Sequence, residues 1–244
     1  MSRLLAFAFM FRHGSAMIPH PKKTKVGGED ALFTKKHSLA VYDGVSAWMI
    51  EDGIDAGIFA FDLSINTKKS IKKYDNITET VQEALKETQV NGSATVSIVK
   101  LDSETGVLET FTTGDSGFLL LRRMTRQKSF WNLFNYFHLQ EEQEKDLYIA
   151  SKSIPMMHDE DCPFQLPLDN PKDAQLDKIQ LQKDDILVLG TDGLFDNLSD
   201  EEIVDHINEN PLALPKHLAW LLAHKAKQKY EKIDDISVIV AKIV

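Results

Sequence analysis

Ser38-Leu39-Ala40-Val41-Tyr42-Asp43-Gly44 is an apolar run that stops at an acid followed by glycine. A run of this length reads as a buried β-strand. Glycine after the acid lets the backbone turn and can aim a carbonyl beside the carboxylate. Alone, Asp-Gly is a common turn; recurrence gives it weight. Gly28-Glu29-Asp30-Ala31 opens the preceding strand-like run, and Gly114-Asp115-Ser116-Gly117 separates two more. Gly190-Thr191-Asp192-Gly193-Leu194-Phe195-Asp196 follows Ile186–Leu189, and Asp234-Asp235 opens the last run. Strand ends are where a sheet protein gathers side chains from distant parts of its chain. Carboxylates gathered there repel one another unless cations lie between them. An all-oxygen ligand set suits Mg²⁺ or Mn²⁺ better than zinc, so the pattern points to a two-metal hydrolytic site.

Working outward, the strand-like runs are Leu4–Phe11, Ala31–Thr34, Ser38–Tyr42, Thr95–Leu101, Leu108–Thr113, Phe118–Arg122, Lys178–Leu181, Ile186–Leu189 and Ile236–Val244. Asp102–Gly106 reads as a hairpin loop and Thr113–Gly117 as a tight connection. Together they predict three consecutive antiparallel strands from Thr95 to Arg122. Helical spacing of Ile54, Ile58, Phe61, Ile65 and Ile71 predicts one long helix. A second helix spans Thr78–Gln89, with Thr78 as its cap and Val81 and Leu85 on its inner face. Ser199-Asp200-Glu201-Glu202 reads as a helix start with acids in the first turn. Leu212–Tyr230 reads as a further helix with Leu218, Leu221 and Leu222 as core contacts. Strand runs bracket helices without strict alternation, which favours an α+β layered sandwich over a doubly wound sheet.

The chain has 244 residues and a formal net charge of −9. It is read as a single domain, residues 1–244, and its acidity argues against nonspecific binding to nucleic acid. The only cysteine, Cys162, excludes an internal disulfide, fits a reducing intracellular compartment and cannot build a thiolate metal site. The N-terminal apolar run is too short to span a bilayer, so no stable membrane insertion is expected. The acid-free, Arg- and Lys-bearing stretch before Glu29 keeps a mitochondrial destination open beside a cytoplasmic or nuclear one. One segment stands apart: basic Arg122–Lys128, aromatic Ser129–Leu139 and acidic Gln140–Asp146. Residues 123–146 read as an insertion. Its aromatic part, 129–139, is either a helix packed on the body, the favoured reading, or a docking element for a partner or a membrane surface.

Six blocks, in order along nearly the whole chain, resemble the metal-dependent protein phosphatases, also called type 2C serine/threonine protein phosphatases. They are Gly-Gly-Glu-Asp-Ala at 27–31, Val-Tyr-Asp-Gly-Val at 41–45, Gly-Ser-Ala-Thr at 92–95, Thr-Gly-Asp-Ser-Gly at 113–117, Thr-Asp-Gly-Leu-Phe-Asp at 191–196 and Asp-Asp-Ile-Ser-Val at 234–238. With Met17-Ile18-Pro19-His20-Pro21 upstream, they are similar to a compact branch of plant and mitochondrial members. The resemblance implies a four-layer αββα sandwich of two antiparallel sheets between helix pairs. It also implies hydrolysis of phosphoserine or phosphothreonine in proteins, by in-line attack of a hydroxide held between two Mn²⁺ or Mg²⁺ ions. By the same resemblance Asp43 bridges the ions, and Asp192 and Asp234 complete the first. Glu29 and the Gly44 carbonyl serve the second, and Asp115 matches the acid that helps hold a third ion in some members. Asp30, Asp196 and Asp235 fall close by as auxiliary groups.

Three positions depart from the family pattern. Lys25 stands where many members carry a phosphate-binding arginine, and lysine lacks the bidentate fork. Val45 replaces a histidine proposed as general acid, and Ser46-Ala47 replaces a glycine pair. These departures bear on rate and mechanism rather than on metal binding. Two other readings stay open: a catalytically weak or dead phosphatase-like regulator, and a phosphatase of small phosphometabolites. The compact chain predicts little in the way of a flap, hence an open site. Among the histidines, His20, between prolines near the expected entrance, is the one to test, with a surface-loop role favoured.

Overall fold

The computed structural model describes residues 8–45, 54–124 and 147–244. The strands are β1 Phe11–Ile18, β2 Asp30–Lys35, β3 Ser38–Gly44, β4 Ala94–Leu101, β5 Val107–Thr113, β6 Gly117–Arg123, β7 Leu147–Lys152, β8 Met157–Asp159, β9 Cys162–Pro163, β10 Gln175–Gln180, β11 Ile186–Gly190 and β12 Ile236–Ile243. The helices are α1 Ala56–Ser70, α2 Ile77–Glu87, the single turn α3 Asp192–Phe195, α4 Asp200–Asn208 and α5 Pro215–Lys229. One five-stranded antiparallel sheet has the order β1-β12-β11-β6-β7, and a second has β10-β5-β4-β3-β2.

The period of two along each strand builds the layers. In β3, Leu39 and Val41 face the other sheet, while Ala40 and Tyr42 face α1 and α2. In β11, Leu187 and Leu189 turn inward, and Ile186 and Val188 turn outward to α4 and α5. In β12, Ile239, Ala241 and Ile243 point inward and Ile236, Val238 and Val240 outward. Both faces of these strands are apolar, so each sheet must be covered twice, by the other sheet and by helices. The result is the expected αββα sandwich, with three apolar layers between its four structural ones.

Several local expectations need correction. The first strand is Phe11–Ile18, paired with β12 from Phe11↔Ile243 to Ile18↔Ile236, rather than Leu4–Phe11; residues 1–7 lie outside the described residues. The more polar β1 is an edge strand, held by pairing with an apolar neighbour rather than by its own hydrophobicity. Strands β4 and β5 form the predicted hairpin, but β6 does not continue that sheet: it pairs with β11 and β7 in the other one. The Gly114-Asp115-Ser116 turn therefore crosses from sheet to sheet. Gly114 takes φ +82°, and an added Cβ there would run into the Phe164 carbonyl and Thr95, so glycine is required.

Helix α1 is present, but its buried stripe is Ala56, Phe59, Ala60, Leu63, Ser64 and Thr67, whereas Ile58 and Phe61 are 54% and 61% exposed. Small residues won the inner face because they let the helix sit close to β2 and β3. The cap of α2 is Asn76, whose side chain accepts from Thr78 N and Glu79 N, rather than Thr78. Ser199 caps α4 in a reciprocal capping box with Glu202, as its sequence suggested. In α5, Leu218 and Leu222 are buried, Leu221 only partly. The aromatic segment 129–139 lies outside the described residues; at the edges of its insertion, β6 and β7 pair antiparallel from Arg123↔Leu147.

Candidate active site

Strand parity carries the acids to one place. Asp43 continues the inward face of Leu39 and Val41 at the end of β3, and Asp30 lies directly across from it in the β2–β3 register. Thr95, opposite Asp43 on the other side, contacts Ser116 of the crossing turn, with Thr95 Oγ1 and Ser116 Oγ 2.7 Å apart. Asp115 of that turn thus joins the same end. From the other sheet, β11 runs into Thr191 and α3, bringing Asp192, while Asp234 and Asp235 sit just before β12. A pocket of about 750 Å³ opens here, lined by Asp43, Gly44, Thr95, Asp115, Asp192 and Asp234 among others.

Hydrogen bonds lock the frame. Thr191 Oγ1 donates to Asp30 Oδ2 at 3.0 Å and accepts from Ser237 N at 3.1 Å, tying β2, β11 and β12 together. The buried Asp235 carboxylate accepts from Glu29 N at 2.9 Å and from His20 N at 2.6 Å. His20 thus serves the site through its main chain. Gly28, at φ +86°, lies so close to Asp235 that a Cβ would strike its carboxylate. Gly44 is equally confined: a Cβ would stand 2.7 Å from the Ala56 carbonyl oxygen and 2.8 Å from that of Glu29. Asp30 and Asp235 therefore act as girders of the frame.

Two lysines that the sequence reading passed over stand against these acids. Lys232 Nζ donates to Asp192 Oδ2 at 2.5 Å and to Asp196 Oδ2 at 2.8 Å. Lys23 Nζ pairs with Glu29 and stands 3.9 Å from Asp235. Burial alone would lower both ammonium pKa values; the hydrogen bonds and charges of the carboxylates outweigh it and raise them. Lys25 is exposed on the same turn as Lys23, which is the one that reaches the acids. Their signal was position: Lys232 precedes the Asp234-Asp235 pair by two residues, and Lys23 lies in the turn before Glu29.

Asp43, Asp30, Asp234 and Asp115 do not ionise freely. Burial, followed by the charges of Asp192, Asp30, Asp115 and Asp234, pushes Asp43 well above the usual range. Burial and then Asp235 do the same to Asp30. Burial and then Asp192 raise Asp234, and they raise Asp115 to about 6. Among the described residues no three acids or histidines are closed around one point in the manner of a finished metal cage. Still, buried oxygens of three of them, Asp30 Oδ1, Asp115 Oδ1 and Asp192 Oδ1, have no hydrogen-bond donor. Buried carboxylate oxygens without donors are costly, and hard divalent cations are the partners that such oxygens fit.

A pH prediction follows for protein kept in chelator. A carboxyl whose folded pKa is raised contributes stability that is full below its unfolded value, near 4, and is lost as pH rises through the folded one. For Asp115 that window is roughly pH 4 to 6. Unfolding at pH 5 and 7.5 should show wild type losing about 1–1.5 kcal/mol more than Asp115→Asn on going to the higher pH. Equal slopes would mean that Asp115 titrates normally.

The pocket has a cover that the sequence did not announce. The β8–β9 hairpin supplies Met157, Glu160, Asp161 and Pro163 to its wall. The hairpin places Glu160 and Asp161 on the outer rim, where Lys152 is paired with Asp200.

Comparison with known proteins agrees with this architecture. A family profile described as stage II sporulation protein E matches residues 137–244. Probable protein phosphatase 2C 26 of Arabidopsis thaliana is 30% identical over 95% of this chain and 83% of its own length. Probable protein phosphatase 2C BIPP2C1 of Oryza sativa subsp. japonica is 33% identical over 93% of this chain but 37% of its own. Among solved structures, the photosystem II phosphatase PBCP superposes with a TM-score of 0.78 at 27% identity, covering 96% of this chain and 99% of that one. The catalytic domain of the serine/threonine phosphatase PstP, in complex with two manganese ions, shares the fold at a TM-score of 0.61 and 16% identity, over 97% and 99% of the two chains. With two sheets delivering acids to one end of the shared sandwich, and a relative 30% identical matched across most of both lengths, this chain belongs to the protein phosphatase 2C family, the metal-dependent serine/threonine protein phosphatases.

Proposed function

We propose that this enzyme is a Mn²⁺- or Mg²⁺-dependent hydrolase of phosphoserine and phosphothreonine in proteins, acting as one catalytic domain with 123–146 inserted between β6 and β7. The observation that carries the reading is the pair of donorless buried oxygens on Asp115 and Asp192, in a pocket shared with Asp43 and Asp234. Asp43, Asp192 and Asp234 would hold one ion, Asp43 with Glu29 and the Gly44 carbonyl a second, and Asp115 a weaker third. Bound there, such ions lower the pKa of water and offset charge on phosphoryl oxygens.

The chain's own groups do the remaining work. The Thr191–Asp30–Ser237 network and Asp235 hold the acids of both sheets in fixed relation, so little reorganisation remains when phosphate enters. Val45, in the pocket wall, has no proton to give, so the departing serine or threonine oxygen takes its proton from water or from another group of the pocket. Asp200 on the outer wall is paired with Lys152 at 2.6 Å, but the carboxylates of Glu160 and Asp161 beside it favour cationic side chains next to the phosphorylated residue. That supports a protein substrate over a small phosphometabolite, whose own charge the rim repels.

Para-nitrophenyl phosphate hydrolysis, measured with Mn²⁺, with Mg²⁺ and with excess chelator, tests the metal requirement. Phosphopeptides set against sugar phosphates and nucleotides test the substrate class. Metal-restored turnover with preference for basic phosphopeptides is expected. Metal binding without any turnover would instead mark a regulator.

Lys232 gives a separate prediction. Its ammonium is the competitor that a divalent ion must displace from Asp192. Removing one positive charge beside that position is worth on the order of 1 kcal/mol after solvent screening. Lys232→Met should therefore bind Mn²⁺ about three- to tenfold more tightly by calorimetry, with a lower melting temperature in chelator. Weaker Mn²⁺ binding would show that Lys232 positions the acids instead of competing for them.

A further inference from the structure

The opposite end of β3 carries the opposite charge. The β2–β3 turn, the segment after α1 and the end of β4 enclose a cavity of about 430 Å³, lined by Lys35, Lys36, His37, Ser38, Ile71, Lys72, Lys100 and Leu101. Ser38, Ile71 and Leu101 are buried and form its floor. Lys68, Lys69 and Lys73 stand on the adjoining turns. Among the described residues, none of these seven lysines forms an ion pair with a carboxylate.

Some of the cations have structural duties. Lys35 Nζ donates to the Lys68 carbonyl at the end of α1, and Lys100 Nζ donates to the carbonyls of Tyr74 at 2.7 Å and Asp75 at 2.8 Å. Lys68 and Lys69 complement the negative end of the helix dipole. Lys36 and Lys72, both exposed, have no such explanation, and neutral carbonyls do not cancel charge. Burial, and then the neighbouring Lys72 and Lys68, lowers the Lys35 pKa, as expected of cations crowded without a counter-ion. Nearby Asp102 is engaged in its own turn by Glu104 N and Thr105. In a chain of net charge −9, composition does not account for such a cluster.

We propose that this cavity binds a small phosphorylated organic anion, a nucleotide or sugar phosphate, at a site separate from the catalytic pocket. The volume falls within the range of small-molecule sites, roughly 300–1,000 Å³. Ammonium groups around the rim serve phosphate oxygens as point charges, and the apolar floor takes the carbon face of a base or sugar. A concavity of this size suits a small molecule better than a nucleic-acid strand or a bilayer, which need an extended basic face. Ser38 in the floor and Asp43 in the active site share strand β3, five residues or about 17 Å apart.

The test uses the full chain in excess chelator, where the acidic pocket has no affinity for phosphate. ATP, AMP, glucose 6-phosphate and pyrophosphate are titrated by calorimetry against wild type and Lys36→Gln/Lys72→Gln. These exposed lysines lie outside the catalytic pocket, so melting temperature and para-nitrophenyl phosphate turnover should be unchanged in the double variant. Binding of at least one organic phosphate, weakened tenfold or more by the double substitution, is expected. Three results would overturn the proposal: no binding below about 1 mM, binding insensitive to the substitutions, or pyrophosphate bound as tightly as any organic phosphate, which would leave the floor without a role. Sedimentation with phosphatidylserine vesicles in the absence of small-anion binding would equally reject it, in favour of a membrane surface.

Discussion

Asp43→Asn is expected to lower turnover by about 10³-fold or more while raising the melting temperature of the metal-free protein. The two halves of that result have one cause. Asp43 lies at the centre of the acids, facing Asp30 across the β2–β3 ladder and feeling Asp192, Asp115 and Asp234. Burial and those like charges make its ionised form costly in the absence of cations. Asparagine keeps the shape and removes the charge, relieving a repulsion on the order of 1–2 kcal/mol, which for a chain of this size corresponds to a few degrees. It also removes the one carboxylate that both proposed ions would share, and an amide oxygen is a much poorer ligand for a hard dication. Activity against para-nitrophenyl phosphate with saturating Mn²⁺, alongside thermal unfolding in chelator, checks both. Turnover within tenfold of wild type would show that the acids are not the catalytic centre. Lost turnover together with a lower melting temperature would mean that the variant is misfolded.

The largest expected loss of stability comes from a single methyl group, in Gly193→Ala. An added Cβ would overlap the Asp235 carbonyl oxygen, which is backbone and cannot rotate away, and would crowd Ile236. Gly193 lies in the turn that follows β11, where α3 packs against the start of β12. To fit the methyl, α3 and β12 must separate, breaking the Asn197 Nδ2 bonds to the Gly193 and Lys232 carbonyls, each 2.9 Å. Overpacking of this kind against main chain costs about 3–5 kcal/mol, or roughly 6–20 °C in melting temperature. The same displacement moves Asp192 from Asp234, so Mn²⁺ affinity should fall with stability, and a shift of 1 Å at reacting groups can cost on the order of 10²-fold in rate. Thermal unfolding and Mn²⁺ calorimetry on one preparation test the coupling. A variant as stable as wild type would show that the close approach of α3 and β12 is not required.

The sequence by itself determined the layers and most of the acids. Alternation in runs such as Ser38–Tyr42 and Ile186–Leu189 made both faces of each strand apolar, and a strand apolar on both faces must be covered on both. Asp-Gly pairs at the ends of those runs marked the end of the sandwich that holds the site, because strand ends are fixed by local chemistry. Ordered blocks gave the family. Only the tertiary structure decided which strands are neighbours. The turn at Gly114–Ser116 looked like a hairpin, yet it crosses between sheets, because pairing of β6 with β11 depends on residues some 70 positions away. Polar β1 was overlooked since its place comes from β12 rather than from its own composition. The inner face of α1 was misjudged because close approach to β2 and β3 rewarded alanines over the isoleucine and phenylalanine now in solvent. Lys23 and Lys232 were invisible for a related reason: a lysine in a loop carries no periodic signal, and its partner is known only once two sheets bring carboxylates within reach. The basic cavity behind β3 is the same lesson, since lysines at 35–36, 68–73 and 100 form one cluster only in three dimensions.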